Sequence, residues 1–283
     1  MNKLIIIGNG FDLAHGMKTS YSDFVYDYFL IAIKSSLKGS RPFEDENMVL
    51  FVDEVFELKS KTNFFSLRRA FKGVGNADIP MIIADTGNRR MLYDCANTIF
   101  LVMKNSFLFR DVLGTNIFHW MDFEHMYFLQ LRNLRDAYMA NQNDSGIVTL
   151  QREFNSLKKL LAKYLKAIKS PKLIEGIDKL INNYFSKTHN VISGNKEGDI
   201  LFLNFNYTQT IKLYLVEKFP DARVINIHGD LIDNEIVFGY GDENGSDYRS
   251  IENLNCNAFF DNVKSFYYLK NGKHQALMNF IEL

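Results

Sequence analysis

The chain has 283 residues, 47% of them apolar and 14% aromatic, which is enough material for one large core or two smaller ones and excludes a disordered polar chain. Lys plus Arg and Asp plus Glu each number 33, so no net charge marks the chain as a phosphate-neutralising nucleic-acid binder; that role would need a local patch. Cys95 and Cys256 are too few and too far apart for a disulfide framework or a zinc site, and are expected to be reduced, cytosolic thiols.

The first apolar run, Leu4 to Ile7, is far shorter than the roughly 20 residues that span a bilayer and lacks a signal peptide's basic start. The expectation is a cytoplasmic protein, neither exported nor membrane-spanning. Lys3 to Ile7 ends at Gly8 and reads as a strand buried on both faces of a parallel sheet. A loop punctuated by Gly8, Gly10 and Gly16 follows. Ser20 and Asp23 then form a capping pair ahead of a helix carrying Phe24, Tyr28 and Ile31.

Residues 38–48 and 72–88, rich in Gly, Pro and charge, read as surface loops within a largely helical middle. Ile117 to Asn141 reads as a helix, with Phe118, Met121, Phe128, Leu131, Leu134 and Tyr138 on its apolar side and a break from Asn141 to Gly146. From Leu150 to Ile168, apolar residues at helical spacing predict another helix, and Pro171 ends it or opens the next. Strand character returns at Asp199 to Phe205, Arg223 to His228 and Glu235 to Tyr240. Thr208 to Phe219 between the first two reads as a crossover helix, so the N- and C-terminal segments are expected to share one parallel sheet.

Ligands of open parallel sheets bind outside the carboxyl ends of the strands, and polar residues collect there in four places. The strand ends read Gly8-Asn9-Gly10-Phe11-Asp12, Asn204 to Thr208, Asn226 to Asp230, and Gly239-Tyr240-Gly241-Asp242. Glycines let a phosphate or ribose approach the main chain, although Leu13 stands where a dinucleotide fingerprint has its third glycine and no acidic strand end follows about 20 residues on. His228 beside Gly229 suits acid–base work or a ribose hydrogen bond, with a buried, carbonyl-satisfied histidine as the plainer alternative. Asn206 suits orientation of a water or ribose hydroxyl, unless Asn206 or Thr208 simply caps the next helix.

His119, Asp122, Glu124 and His125 around Trp120 lack the spacing of a helical metal site, so no metal is expected, and the readings are a solvated helix face or a carboxylate reaching into the nucleotide pocket. Arg223 and His228 have the Arg-x4-His spacing of helical toxin ribonucleases. In a strand, however, residues five apart point to opposite faces.

GNGFDLAHGMKTSYSDF from Gly8 to Phe24, HWMDFE from His119 to Glu124, FNYTQT from Phe205 to Thr210, and INIHGD through FGYGDE between Ile225 and Glu243 together resemble the AbiH abortive-infection family. More distantly the arrangement is similar to sirtuin-like defence domains. The resemblance implies a Rossmann-like (sirtuin-like) α/β sheet from residues 1–35 and 195–250, a helical insertion at 36–194 and a C-terminal helical segment at 251–283. It implies binding, and in the enzymatic version hydrolysis, of NAD or a related nucleotide during phage infection. Asn206 and His228 would be catalytic, and Gly8, Asn9, Gly10, Phe11, Asp12, His15, Tyr207, Thr208, Gly229, Gly239, Tyr240 and Asp242 would contact the nucleotide. A nucleotide-sensing module without turnover is the alternative, and a nuclease a third. A homo-oligomer or a phage-derived trigger would be the partner, with no nucleic acid and no membrane. The sirtuin-like loop usually has Ala and Ser where Asn9 and Asp12 stand, which points Asp12 towards ribose or a different nucleotide. Such domains also tend to have a further Gly-His-Ser-type strand end, which is expected to be lacking before Leu283.

Overall fold

The computed structural model describes residues 2–38, 43–52, 91–94, 99–105, 120–189, 199–215, 219, 221–232, 235–241 and 245–282. It is a mixed helix and strand protein whose chain groups into two compact units. One comprises Met1–Thr19, Ala162–Phe238 and Val263–Leu283, the other Ser20–Leu161 and Gly239–Asn262.

The first unit holds a three-stranded parallel sheet built from β1 (Lys3–Ile7), β6 (Ile200–Asn204) and β7 (Arg223–Asn226), in the order β1-β6-β7. Ile7, Asn204 and Asn226 stand in register at the carboxyl ends. The two chain segments therefore share one sheet, as the strand–helix–strand pattern requires. The central strand β6 is buried along its length after Ile200, whereas β1 is an edge and exposes Leu4 and Ile6 on one face. The reading of β1 as buried on both faces is thus corrected: the face carrying Leu4 and Ile6 is open, and a strand is buried on both sides only where both sheet faces are covered. Its other face packs Ile5 and Ile7 with Phe202, Val224, Ile181, Ile211 and Leu215.

After β1 the chain enters α1 (Asn9–Ala14) directly, so the expected glycine loop is largely a short helix. Gly16 closes it at φ +71, with its N–H bonded to the Leu13 carbonyl and that of Met17 to the Asp12 carbonyl. This double bond to the last turn favours glycine, which adopts the left-handed conformation without Cβ strain. Of the crossover helix expected from Thr208 to Phe219, α6 (Lys212–Leu215) is regular. The fourth strand also differs from expectation. β9 (Glu235–Ile236) pairs antiparallel with β8 (Gly229–Asp230) and joins no parallel sheet, because the connection is too short for a crossover. The unit also contains α5 (Glu175–His189) and the C-terminal helices α8 (Lys264–Lys270) and α9 (Lys273–Ile281); Asn2 Nδ2 donates to the Phe280 carbonyl of α9.

The second unit opens with α2 (Tyr21–Lys38), capped as predicted: the Asp23 N–H donates to Ser20 Oγ, and the Ser20 N–H and hydroxyl both donate to Asp23 Oδ2. Where the sequence reads as helical insertion and loops, β2 (Phe43–Glu44), β3 (Met48–Val52), β4 (Met91–Asp94) and β5 (Ile99–Asn105) form an antiparallel sheet in the order β2-β3-β5-β4. The expected loop at 72–88, Cys95 and the start of the predicted helix at 117–119 lie outside the described residues. Helix α3 runs Trp120–Asn141 and α4 Ser145–Ala167, close to the two helices read from periodicity, with Gln142 at φ 54 between them. Contacts assign α4 from Ala162 onward to the first unit. Tyr127 of α3 stacks on Phe154 of α4 at 4.0 Å, and Phe128 on Tyr240 at 3.7 Å. Helix α7 (Ser246–Glu252) completes the unit. No described helix is long and apolar enough to cross a membrane.

Candidate functional site

The carboxyl ends of the parallel strands carry a continuous polar network. Asn204, the last residue of β6 and 1% exposed, donates through Nδ2 to the Thr208 carbonyl (2.9 Å) and to Asn226 Oδ1 (3.0 Å), and accepts the Asn206 N–H at Oδ1 (3.1 Å). Asn226 in turn donates to Asp230 Oδ2 (3.2 Å), which also accepts from Gln209 Nε2 (2.9 Å). These bonds fix the path of residues 204–210 without repeating secondary structure. Asn206, 6% exposed, donates through Nδ2 to the Gly8 carbonyl at 3.1 Å and so ties this segment to the end of β1.

Asp12 lies in the first turn of α1 and is 1% exposed. Its Oδ2 accepts the Thr208 hydroxyl at 2.5 Å, and its Oδ1 has no hydrogen-bond partner among the described residues. Burial pushes its carboxyl above the usual carboxylate range, against the hydroxyls of Thr208 and Thr210 and the nearby His15, which lower it. A buried acceptor without a donor is costly, so Asp12 suits a site where a ligand supplies one. Thr210 extends the chain, its hydroxyl lying 3.2 Å from Thr208 Oγ1 and 3.4 Å from Met17 Sδ. Asn9 is held by Thr19, whose hydroxyl donates to Asn9 Oδ1 at 2.6 Å.

Gly8 and Gly10 have open space where a Cβ would stand, and Gly8 has an ordinary extended φ of −121°. The fold itself does not demand glycine there; what the two glycines leave is uncovered backbone at the end of β1. His15 does a different job. Its Nδ1 faces the Phe11 carbonyl at 2.7 Å, which only accepts, so Nε2 accepts the Tyr214 hydroxyl at 2.6 Å, and Tyr214 Oη takes the Ile174 N–H at 3.0 Å. Phe11 completes this aromatic group, its ring 4.7 Å from His15.

His228 lies just past β7, in the turn that Gly229 completes at φ +78. Its Nδ1 donates to the Phe205 carbonyl at 3.1 Å, its ring meets Phe205 edge-on at 5.1 Å, and it stacks with Tyr268 at 6.2 Å. Tyr207, the next ring at 6.2 Å, anchors its hydroxyl on the Val237 carbonyl. Burial, with the charges of Lys264 and Lys273, pushes the His228 pKa down to about 4. The ring is therefore neutral at physiological pH with its lone pair at Nε2. Asn206 and His228 share no hydrogen-bond partner: the first is bound to Gly8, the second to Phe205.

Arg223 pairs with Asp199 at 2.8 Å and lies over the Phe280 ring; β7 ends at Asn226, so strand alternation does not extend to His228, whose partners are Phe205 and Tyr268. Gly239 and Tyr240 belong to the second unit, where the Gly239 N–H donates to Glu124 Oε1 and the Tyr240 N–H to the Asn262 carbonyl. Asp242 and His119 lie outside the described residues. Among the described residues no group of three His, Cys, Asp or Glu is placed to hold a metal ion.

The sequence did not single out Thr210, Tyr214 or Gln209 as site residues, and it placed Asp230 only at a polar strand end. Thr210 and Gln209 follow an Asn-rich strand end, which is the one local signal that marks them; Tyr214 reads only as an apolar helix position. No curated protein and no solved structure matches the chain. The family model described as bacteriophage abortive infection AbiH matches residues 4–278, and the chain therefore belongs to the AbiH family.

Proposed function

We propose that this AbiH-family chain acts in phage abortive infection by binding NAD or a related nucleotide at the carboxyl ends of β1 and β6. The observation that carries the reading is Asp12, a buried carboxyl with one oxygen bonded to Thr208 and the other without a donor, beside the uncovered backbone of Gly8 and Gly10. Asp12 Oδ1 accepts a ribose hydroxyl, and the glycine backbone receives the phosphates. Asp12→Leu keeps the branched shape and removes both acceptors, so affinity for NAD in titration calorimetry should fall about 10- to 100-fold, as expected for a lost hydrogen bond to a charged group. Gly10→Val should abolish binding while the melt stays cooperative. Unchanged affinity in both folded variants would sink the reading.

The Nε2 lone pair of His228, left open by the Nδ1 bond to the Phe205 carbonyl, carries a hydrolytic form of the same reading. Water attacks C1′ of the ribose, the nicotinamide–ribose bond breaks, nicotinamide leaves and the water's proton passes to His228 Nε2. Asn206 holds the segment in place from the Gly8 carbonyl. His228→Ala should slow NAD loss in phage-infected cells by about 10²-fold with binding retained. If NAD stays constant in infected cells carrying the unaltered protein, the chain works as a nucleotide sensor without turnover.

A further inference from the structure

A cavity of about 350 Å³ opens at the carboxyl end of β6 within the first unit. Met17, Leu165, Ile168 and Leu213 give it apolar walls, and Thr208 and Thr210 supply polar lining. Lys166 contributes a cation, and Ser170 an exposed position. The hydroxyl chain in this lining has a fixed polarity. Asp12 carries the acceptor, so Thr208 donates to Asp12 Oδ2, and Thr210 donates to Thr208 Oγ1 or to Met17 Sδ, both within reach. Both threonine protons are thereby committed, and the capacity left to Thr210 Oγ1 is to accept. A ligand in this cavity is therefore selected for an O–H or N–H donor set into an otherwise apolar, ring-sized body.

We infer that this cavity takes one nucleoside 5′-monophosphate unit: its base lies against Met17, Leu165 and Ile168, a sugar hydroxyl donates to Thr210, and the phosphate meets Lys166. The inference rests on the nucleotide reading above and narrows it. A volume of 350 Å³ lies at the bottom of the range of roughly 300–1,000 Å³ found for ligand pockets, which suits one half of a dinucleotide and not the whole. NAD enters the cavity by one half, and its other half meets Asp12 and the Gly8 and Gly10 backbone.

Titration calorimetry on the full chain with adenosine, adenosine monophosphate and NAD tests this. Adenosine monophosphate should bind more weakly than NAD, by about the factor that Asp12→Leu removes from NAD, and about threefold or more above adenosine, a difference that Lys166→Gln removes, as for an exposed ion pair. Ser170→Trp, which fills the cavity from an exposed position, and Thr210→Val, which keeps the side-chain shape, should each weaken the monophosphate about tenfold, equivalent to one lost hydrogen bond or an occluded pocket. A cooperative melt confirms that each variant is folded. Should none of the three compounds bind, the nucleotide reading falls and this inference with it. Should NAD bind and respond to Asp12→Leu but not to Ser170→Trp or Thr210→Val, the nucleotide reading stands and the cavity assignment is overturned.

Discussion

Two buried polar side chains, one in each unit, are used in opposite ways. In the second, Gln151 is 4% exposed and saturated: its Oε1 accepts from the Tyr127 hydroxyl (2.8 Å) and from Asn262 Nδ2 (2.7 Å), and its Nε2 donates to the Ala258 carbonyl (2.7 Å). Lys158 closes the set by donating to Asn262 Oδ1. In the first unit, Asp12 is as deeply buried and half-satisfied. Their glycines divide in the same way. A Cβ on Gly239 would stand 2.0 Å from the Asn262 carbonyl oxygen, at φ +156, whereas one on Gly10 would meet nothing within 4 Å. A saturated network and a filled glycine hold a fold together; an open acceptor and an uncovered glycine leave room for something else.

The strongest test of this contrast is the glycine pair. Gly239→Ala combines a backbone clash with a disfavoured φ and should cost about 3 kcal/mol or more in urea unfolding, while Gly10→Ala, inside a helix, should be neutral or stabilise by about 0.5–1 kcal/mol. Equal midpoints for the two variants would break the comparison. Next in size is the polar pair. Gln151→Leu strips three groups of their partner and should cost about 2–4 kcal/mol, whereas Asp12→Leu should change stability by less than about 1 kcal/mol, because it removes a buried carboxyl already short of a donor.

The smallest effect is a pH dependence that sharpens the picture of the first unit. His228 has a folded pKa near 4 against an ordinary 6.5, so below pH 6.5 the unfolded chain takes up a proton that the folded one refuses. Its contribution to stability is complete above pH 6.5 and lost as the pH falls towards 4. Asp12 is shifted up from 3.8 by burial, which gives the opposite sign: stability declines as the pH rises above 3.8. Urea midpoints between pH 4 and 7 should therefore lose their rising slope in His228→Ala and steepen in Asp12→Leu. A His228→Ala profile parallel to that of the unaltered chain would show that the ring is solvated in the folded state.

The sequence by itself determined the features whose cause is local. The capping pair Ser20 and Asp23, the helices α3 and α4, the strands β1, β6 and β7 and the polar residues at their ends are each set by neighbours within a few positions. The family blocks at 8–24, 205–210 and 225–243 lie on such features too. Only the tertiary structure decided the rest. The antiparallel sheet in the middle escaped notice because Met48–Val52 and Ile99–Asn105 are short apolar runs whose pairing partners lie some fifty residues apart. Asp12 meets Thr208 across 196 positions and Asn206 meets Gly8 across 198, so nothing in their spacing announced which oxygen would be satisfied and which left open. Periodicity records which face of an element is apolar; it carries no record of which distant side chain will arrive to complete a hydrogen bond, and that arrival distinguishes a bonded amide such as that of Asn206 from an open acceptor such as Asp12.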